Sequence, residues 1–240
     1  MPCAYCDGDE PATREHVWPK CLIDRVRSYS LRYVGRVHRI VNTDLTVRDV
    51  CRDCNNGPLS LLDAYLCKLY DDYLIHEVQE GQSIVFRYDF NLLVKALLKI
   101  SYNSARTTDV DATTLRRYAP VLLSQSASPV GTFVKVATIH TSRVLDDRGN
   151  RKVIPARAFR TGPIVIANRN RRGLAARIVQ IDGYRFYVIT TEDVLDRQAA
   201  VRYLASERGT WLSRDGEIVI HEPTLSALAA FDGVQHWRTP

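Results

Sequence analysis

The 240-residue chain is predicted to be an α+β protein, and three observations carry that prediction. Two C-x-x-C pairs, Cys3/Cys6 and Cys51/Cys54, lie near the N-terminus. Apolar residues in the middle of the chain recur at helical spacing. Beyond Gly131 the texture turns to β-rich segments punctuated by Asp-Gly. The expected organisation is a metal-stapled unit over 1–75, a helical region over 76–124 and an antiparallel β-rich region over 125–240.

The elements follow in order. Residues 1–20 read as a turn-rich segment around the first cysteine pair, and Thr46–Val50 as a β-rich run into the second. Asn55-Asn56-Gly57-Pro58 is a turn or a helix start. Leu59, Leu62, Leu66, Leu69, Tyr70 and Tyr73 then recur at steps of three and four, which predicts a helix with one apolar face. Phe90, Leu93, Val94, Leu97 and Leu98 predict a second helix, with Lys95 and Lys99 pointing away from its apolar stripe. A third short helix is expected over Ala112–Tyr118, stopped by Pro120. Thr132–His140 and Ile164–Ala167 read as strands, and Gln125–Pro129 before them as a linker. Ala175–Ile181 and Tyr184–Thr190 flank Asp182-Gly183, a strong hairpin signal. A second Asp-Gly, at 215–216, is expected to join Trp211–Leu212 to Ile218–Ile220.

Hydrophobic residues make up 45% and charged residues 25%, which places the chain with soluble globular proteins. No window approaches the ~18 consecutive apolar residues of a membrane-spanning helix. The opening Met1-Pro2-Cys3 lacks the basic and apolar segments of a secretory signal, so a cytoplasmic location is expected. The net charge of +6, with a pI near 9.0, favours a polyanionic partner. That charge is unevenly spread. Residues 1–66 hold nine basic and nine acidic side chains. From Arg148 to Arg177 there are nine basic residues and no acidic one. A solvated face is the plain reading of such a run.

Paired cysteines in a chain expected to be cytoplasmic favour a metal over disulfides. Tetrahedral zinc takes four soft ligands, and each C-x-x-C turn presents two thiolates to one ion. A structural zinc on Cys3, Cys6, Cys51 and Cys54 is therefore expected, the alternative being two unrelated pairs of reduced thiols. The 44 residues between the pairs loop out between the two halves of the clamp. Cys21 and Cys67 stand alone and read as small buried hydrophobes.

The order C-A-Y-C, E-H-V-W-P and C-R-D-C-N-N-G, over about residues 3–70, resembles that of HNH endonucleases with a zinc-bound ββα-metal fold. The resemblance implies hydrolysis of phosphodiester bonds in DNA. It makes His16 the general base, a role suited to an imidazole with an ordinary pKa near 6.5. It makes Glu15 and Asn55 the ligands of a catalytic Mg²⁺ or Mn²⁺, separate from the zinc. The chain departs from the signature in three ways. Glu15 replaces the commoner Asp. The final His is Asn55. Thr46 stands where the middle Asn is expected, with Asn42 nearby, so the buttressing role of that Asn falls to Asn42 or to another group.

The neutral nuclease unit has little charge with which to hold DNA. Arg169, Arg171 and Arg172 in the acid-free stretch are the candidates for that grip. Such small HNH proteins resemble components of anti-phage defence, restriction or mobile-element systems. The C-terminal region would bind substrate or a protein partner, and a homodimer would place two sites on two strands. The rival reading is an inactive zinc-containing nucleic-acid-binding or scaffold protein, and cleavage of RNA is a third. For Asn55 the simpler role is a helix cap, and for Asp63 a solvated or salt-bridged carboxylate.

Overall fold

The computed structural model describes residues 2–10, 12–25, 32–34, 39–41, 45–140, 142–145, 151–154, 159–164, 174–191, 198, 201–202, 204 and 207–222. Its elements run β1 (Ala12–His16), α1 (Lys20–Arg25), β2 (Arg32–Val34), β3 (Arg39–Val41), β4 (Thr46–Cys51), α2 (Arg52–Cys54), α3 (Ser60–Leu69), β5 (Ser83–Arg87) and α4 (Phe90–Arg106). They continue α5 (Ala112–Arg116), α6 (Ala119–Leu123), β6 (Thr132–Thr138), β7 (Ser142–Leu145), β8 (Arg151–Ile154), β9 (Arg160–Pro163), β10 (Ala175–Ile181), β11 (Tyr184–Thr190), β12 (Thr210–Trp211) and β13 (Glu217–His221). The chain is α+β. No helix among the described residues is long and apolar enough to cross a membrane.

Helix α4 is the axis on which the rest is laid. Asp89 starts it, its carboxylate accepting from the Leu92 N–H at 2.9 Å and so satisfying one of the helix's orphan donors. Every residue from Leu93 to Ala105 is buried. The five-stranded antiparallel sheet, ordered β12-β6-β11-β10-β9, packs on one side of α4 through β9, β10 and β11. On the other side lie α3 and β4. Leu93, Val94, Leu97, Leu98 and Ile100 are wholly withdrawn from water, and each such aliphatic side chain contributes about 1.5–3 kcal/mol. One continuous core reaches from Cys3 to Ile220 and crosses all three of the regions expected from sequence.

Encirclement of α4 buries even Lys95 and Lys99, read as pointing away from its apolar stripe, each being only 1% exposed. Lys95 Nζ donates to the carbonyls of Ser124 and Gln125, at 2.7 and 3.5 Å, and so closes the C-terminal end of α6. Ser128 Oγ reaches Asn91 Oδ1 at 2.9 Å, so the segment Gln125–Pro129 is fastened along α4. Lys95, Lys99 and Asn103 fall four residues apart and form a single buried polar stripe.

The β10–β11 hairpin forms as the sequence predicts. Ile181 pairs with Tyr184 across a two-residue turn, with Asp182 in the left-handed region at φ 48°. Tyr70 Oη anchors that turn by donating to Asp182 Oδ2 at 2.6 Å. Strand β9 lies at Arg160–Pro163, earlier than the predicted Ile164–Ala167; Ile164 extends it by one bond to Ala176, and residues 165–167 lie outside the described residues. Four further expectations are corrected. Asp215-Gly216 does not make a hairpin, because β12 pairs with β6 while β13 pairs with β5. Strand β5 lies in the region expected to be helical because β13 is there to pair with it. Pro120 opens α6 rather than merely ending α5, its missing N–H costing nothing in a first turn. Cys21 and Cys67 are not separate hydrophobes: a disulfide joins them across 46 residues, with their Cα atoms 6.3 Å apart. At Gly216, φ is +79° and an added Cβ would come within 2.5 Å of the Tyr88 carbonyl, so only glycine permits this close approach.

His140 stands between two carboxylates, with Nε2 3.0 Å from Glu222 Oε1 and Nδ1 3.3 Å from Glu77 Oε1. Burial works to lower its pKa, but the two carboxylates outweigh it and raise the ring above 6.5. A raised folded-state pKa contributes stability that is fully present below the unfolded value and is lost as pH rises through the folded one. The stability difference between wild type and His140→Ala is therefore expected to be largest below about pH 6.5. Urea melts at several pH values should show that difference vanishing toward alkaline pH.

Candidate metal centre and active site

The four paired cysteines come together as one cluster, their Sγ atoms all within 4.8 Å of one another. Strand β1 pairs antiparallel with β4, Ala12 opposite Cys51, which returns the chain to the first knuckle. Cys6 Sγ and Cys51 Sγ are 3.7 Å apart. The edge of a sulfur tetrahedron with metal–sulfur bonds of about 2.3 Å is about 3.8 Å. Three backbone N–H groups already point at sulfur: Cys51 and Tyr5 at Cys3 Sγ (3.3 and 3.5 Å), and Cys54 at Cys51 Sγ (3.5 Å). Burial works to raise Cys3, but the N–H bonds prevail and bring it to about 7; Cys51 and Cys54 are raised, by burial first. A cation bound here would take thiolate ligands and release the protons that the thiols still hold. The residues fit a tetrahedral metal ion.

The strand leaving this cluster carries the predicted Glu15 and His16. A register shift lies between Thr13 and Glu15, and His16 pairs with Thr46 in the ladder. Thr46 is the position where the signature's middle Asn was expected; Asn42 lies outside the described residues. Glu15 is 4% exposed, whereas His16 is partly open to solvent. Inside, the Glu15 carboxylate meets the ammonium of Lys99, which also lies 2.5 Å from Asp63 Oδ1. Burial pushes the Asp63 pKa up, opposed by Lys99, and His16 lies close enough to Asp63 to lower it as well.

Asn103, wholly buried one turn beyond Lys99, uses both ends of its amide. Its Nδ2 donates to the His16 carbonyl at 3.2 Å and to Glu15 Oε1 at 3.4 Å. Its Oδ1 accepts from Tyr5 Oη at 2.6 Å and from Arg106 at 2.5 Å. Arg106 in turn pairs with Asp49 on β4 and lies over the Tyr5 and Tyr102 rings. Tyr102 Oη donates to the Ala4 carbonyl at 3.0 Å. The first cysteine knuckle and the Glu15–His16 strand are thus both fastened to α4.

Asn55 follows the last cysteine in a widened, π-type segment, Asn55–Leu59, between α2 and α3. Cys54, not Asn55, holds the N-cap position of that segment, and Asn55 Nδ2 instead donates to Thr13 Oγ1 at 2.8 Å and to the Arg14 carbonyl at 3.2 Å. Asn55 therefore adjoins the strand bearing Glu15 and His16, as the sequence order requires. The oxygen donors of Glu15 and Asn55 are of the kind Mg²⁺ or Mn²⁺ takes. As placed, however, Glu15 is not offered to an ion shared with Asn55: it is turned inward onto Lys99 and Asn103, whereas Asn55 engages its Nδ2, not its Oδ1, with β1.

The predicted nucleic-acid grip, Arg169, Arg171 and Arg172, lies outside the described residues. Of the nine basic residues from 148 to 177, the side chains of Arg160 and Arg177 are described, and only Arg160 is exposed. Arg177 is 1% exposed and bonds Ser104 Oγ, the Val110 carbonyl and Asp111. It is a core cation, not part of a surface. The sequence reading misses Asn103 and Tyr5, and it takes Lys99 only as pointing away from an apolar stripe. The available signal was polar residues at i and i+4 inside an otherwise apolar helix. No family model, no curated protein and no solved structure matches this chain.

Two outcomes are expected. Elemental analysis of the purified protein should find one divalent metal per chain, lost in Cys51→Ser. Lys99→Met should destabilise the fold by about 3–5 kcal/mol, because it strands two carboxylates beside a buried strand. A denaturant-melt loss below about 1 kcal/mol would place Lys99 outside the framework of the site.

Proposed function

We propose that the protein is an HNH-type endonuclease that hydrolyses phosphodiester bonds in DNA, with His16 as the general base and a structural zinc on Cys3, Cys6, Cys51 and Cys54. The observation that carries this reading is the placement of His16. Its strand springs from the cysteine cluster, its side chain is partly open to solvent, and its backbone and buried neighbour are held by Asn103 and Lys99. A paired β1/β4 ladder followed by a helix that opens on the second cysteine pair supports the ββα reading. In the reaction, a neutral His16 imidazole takes a proton from water as the water oxygen bonds to phosphorus and one ester P–O bond breaks. The resemblance implies that a divalent ion would stabilise the charge developing on phosphate oxygens. Anti-phage defence, restriction or mobile-element biology are the settings in which we place it, with a protein partner or a second copy available for double-strand cleavage.

A second reading is favoured by one observation, the ion pair that turns Glu15 away from solvent. It makes the chain a zinc-clamped nucleic-acid-binding protein without hydrolytic activity. Supercoiled plasmid incubated with wild type and His16→Ala in Mg²⁺, in Mn²⁺ and in EDTA separates the two. Metal-dependent nicking by wild type, reduced at least 10²-fold in the variant, is expected from the general-base role. Tight DNA binding without cleavage in any metal, by protein carrying one zinc, would establish the second reading. The same assay on a structured RNA tests the choice of nucleic acid.

A further inference from the structure

We propose that Asn103 of α4 is the positioning residue for His16, taking from outside the N-terminal unit the buttressing role that the sequence leaves to Asn42 or to another group, and that Lys99 fixes the same strand through Glu15. The inference rests on the reading of His16 as a base for its kinetic consequence, although not for its structural one.

A base on a strand is only as well aimed as the peptide that carries it. Among the described residues β1 has one ladder partner, β4, and the register shift before Glu15 interrupts even that pairing. Thr46, opposite His16, has no amide with which to bridge two groups. Asn103 does. A single planar amide holds the His16 carbonyl and the Glu15 carboxylate on one edge. Its other edge takes the Tyr5 hydroxyl and the Arg106 guanidinium. Asn103 is fully withdrawn from water, so these bonds face no competition from solvent. The amide also lies on the longest helix among the described residues, a rigid base for a strand with few bonds of its own.

Lys99 works one turn earlier on the same stripe. Its ammonium bridges Glu15 and Asp63, and so ties β1 to α3 beneath His16. With Glu15 drawn inward by Lys99, the alternation of side chains along a strand turns His16 outward. The two contacts address adjacent residues: Lys99 sets which face His16 occupies, and Asn103 sets the plane of the peptide that follows it.

The test uses the full-length, metal-loaded protein as wild type, Asn103→Ala, Asn103→Asp, and Ile189→Ala as a control for destabilisation. Ile189 lies in the separate core cluster on β11. Metal content and melting temperature are measured for each, with kcat and KM on plasmid and the His16 ring signals by NMR. The expected result is that Asn103→Ala keeps one metal per chain and displaces the His16 ring signals. Its kcat falls 10- to 100-fold with KM within about twofold. Ile189→Ala, similarly destabilised, keeps both kcat and the ring signals. Asn103→Asp retains the acceptor for Tyr5 and Arg106 but has no amide donor, so it too should lose kcat. Unmoved His16 ring signals in folded Asn103→Ala, or a kcat equal to that of the Ile189→Ala control, overturn the proposal. If wild type itself cleaves nothing while the ring signals still move in Asn103→Ala, the nuclease reading fails and the positioning of His16 by Asn103 stands.

Discussion

The Lys99 ammonium is the constraint on which the candidate site depends. It is 1% exposed and lies between the carboxylates of Glu15 and Asp63, so three elements, β1, α3 and α4, must close around one charge. Removing ions from water costs several kcal/mol each, and only good geometry repays it. The neighbouring Asn103 amide, fully bonded at both ends, makes that geometry nearly unique. Other placements of β1 on α4 would leave at least one of these buried groups unpaired. The cysteine cluster alone does not impose this: it fixes the ends of the loop between its two halves but not the face that β1 presents.

A division of labour follows. The cysteine cluster gathers the first knuckle, the end of β4 and the start of α2, by chemistry local to the N-terminal unit. The polar stripe of α4 holds that unit against the sheet. The sheet contributes apolar area and supports α4 from behind, through β9, β10 and β11. Arg177 repeats the pattern at the C-terminal end of α4, next to Asn103, as a buried cation satisfied by Ser104, Asp111 and a main-chain carbonyl. Charges buried against α4 thus set orientation, while its aliphatic side chains supply most of the adhesion.

What the sequence discloses, and what it hides, follows from how local each signal is. C-x-x-C spacing, the Asp182-Gly183 turn and the helical periodicity of Phe90–Leu98 all act over a few residues, and the structure contains each of them. The burial of Lys95 and Lys99 depends on what covers α4 from both sides, which no short window reveals. The partners of β12 and β13 are likewise set at long range, and they defeat the local Asp215-Gly216 signal. Within the site, Glu15, His16 and Asn55 are legible because they flank the cysteines. Asn103 lies 87 residues from His16 and belongs to no motif. Asp63, read from sequence as salt-bridged or solvated, is salt-bridged, and its partner is the lysine read as pointing away from the apolar stripe of α4.

The most direct test of this account is amide hydrogen exchange, followed residue by residue in wild type and Lys99→Met under conditions where both remain folded. If the buried ammonium fixes β1, the amides of β1 and β4 should lose protection in the variant while those of the β10–β11 hairpin keep theirs. Equal protection of β1 in the two proteins would contradict the account, and would show that the cysteine cluster alone sets the strand that carries His16.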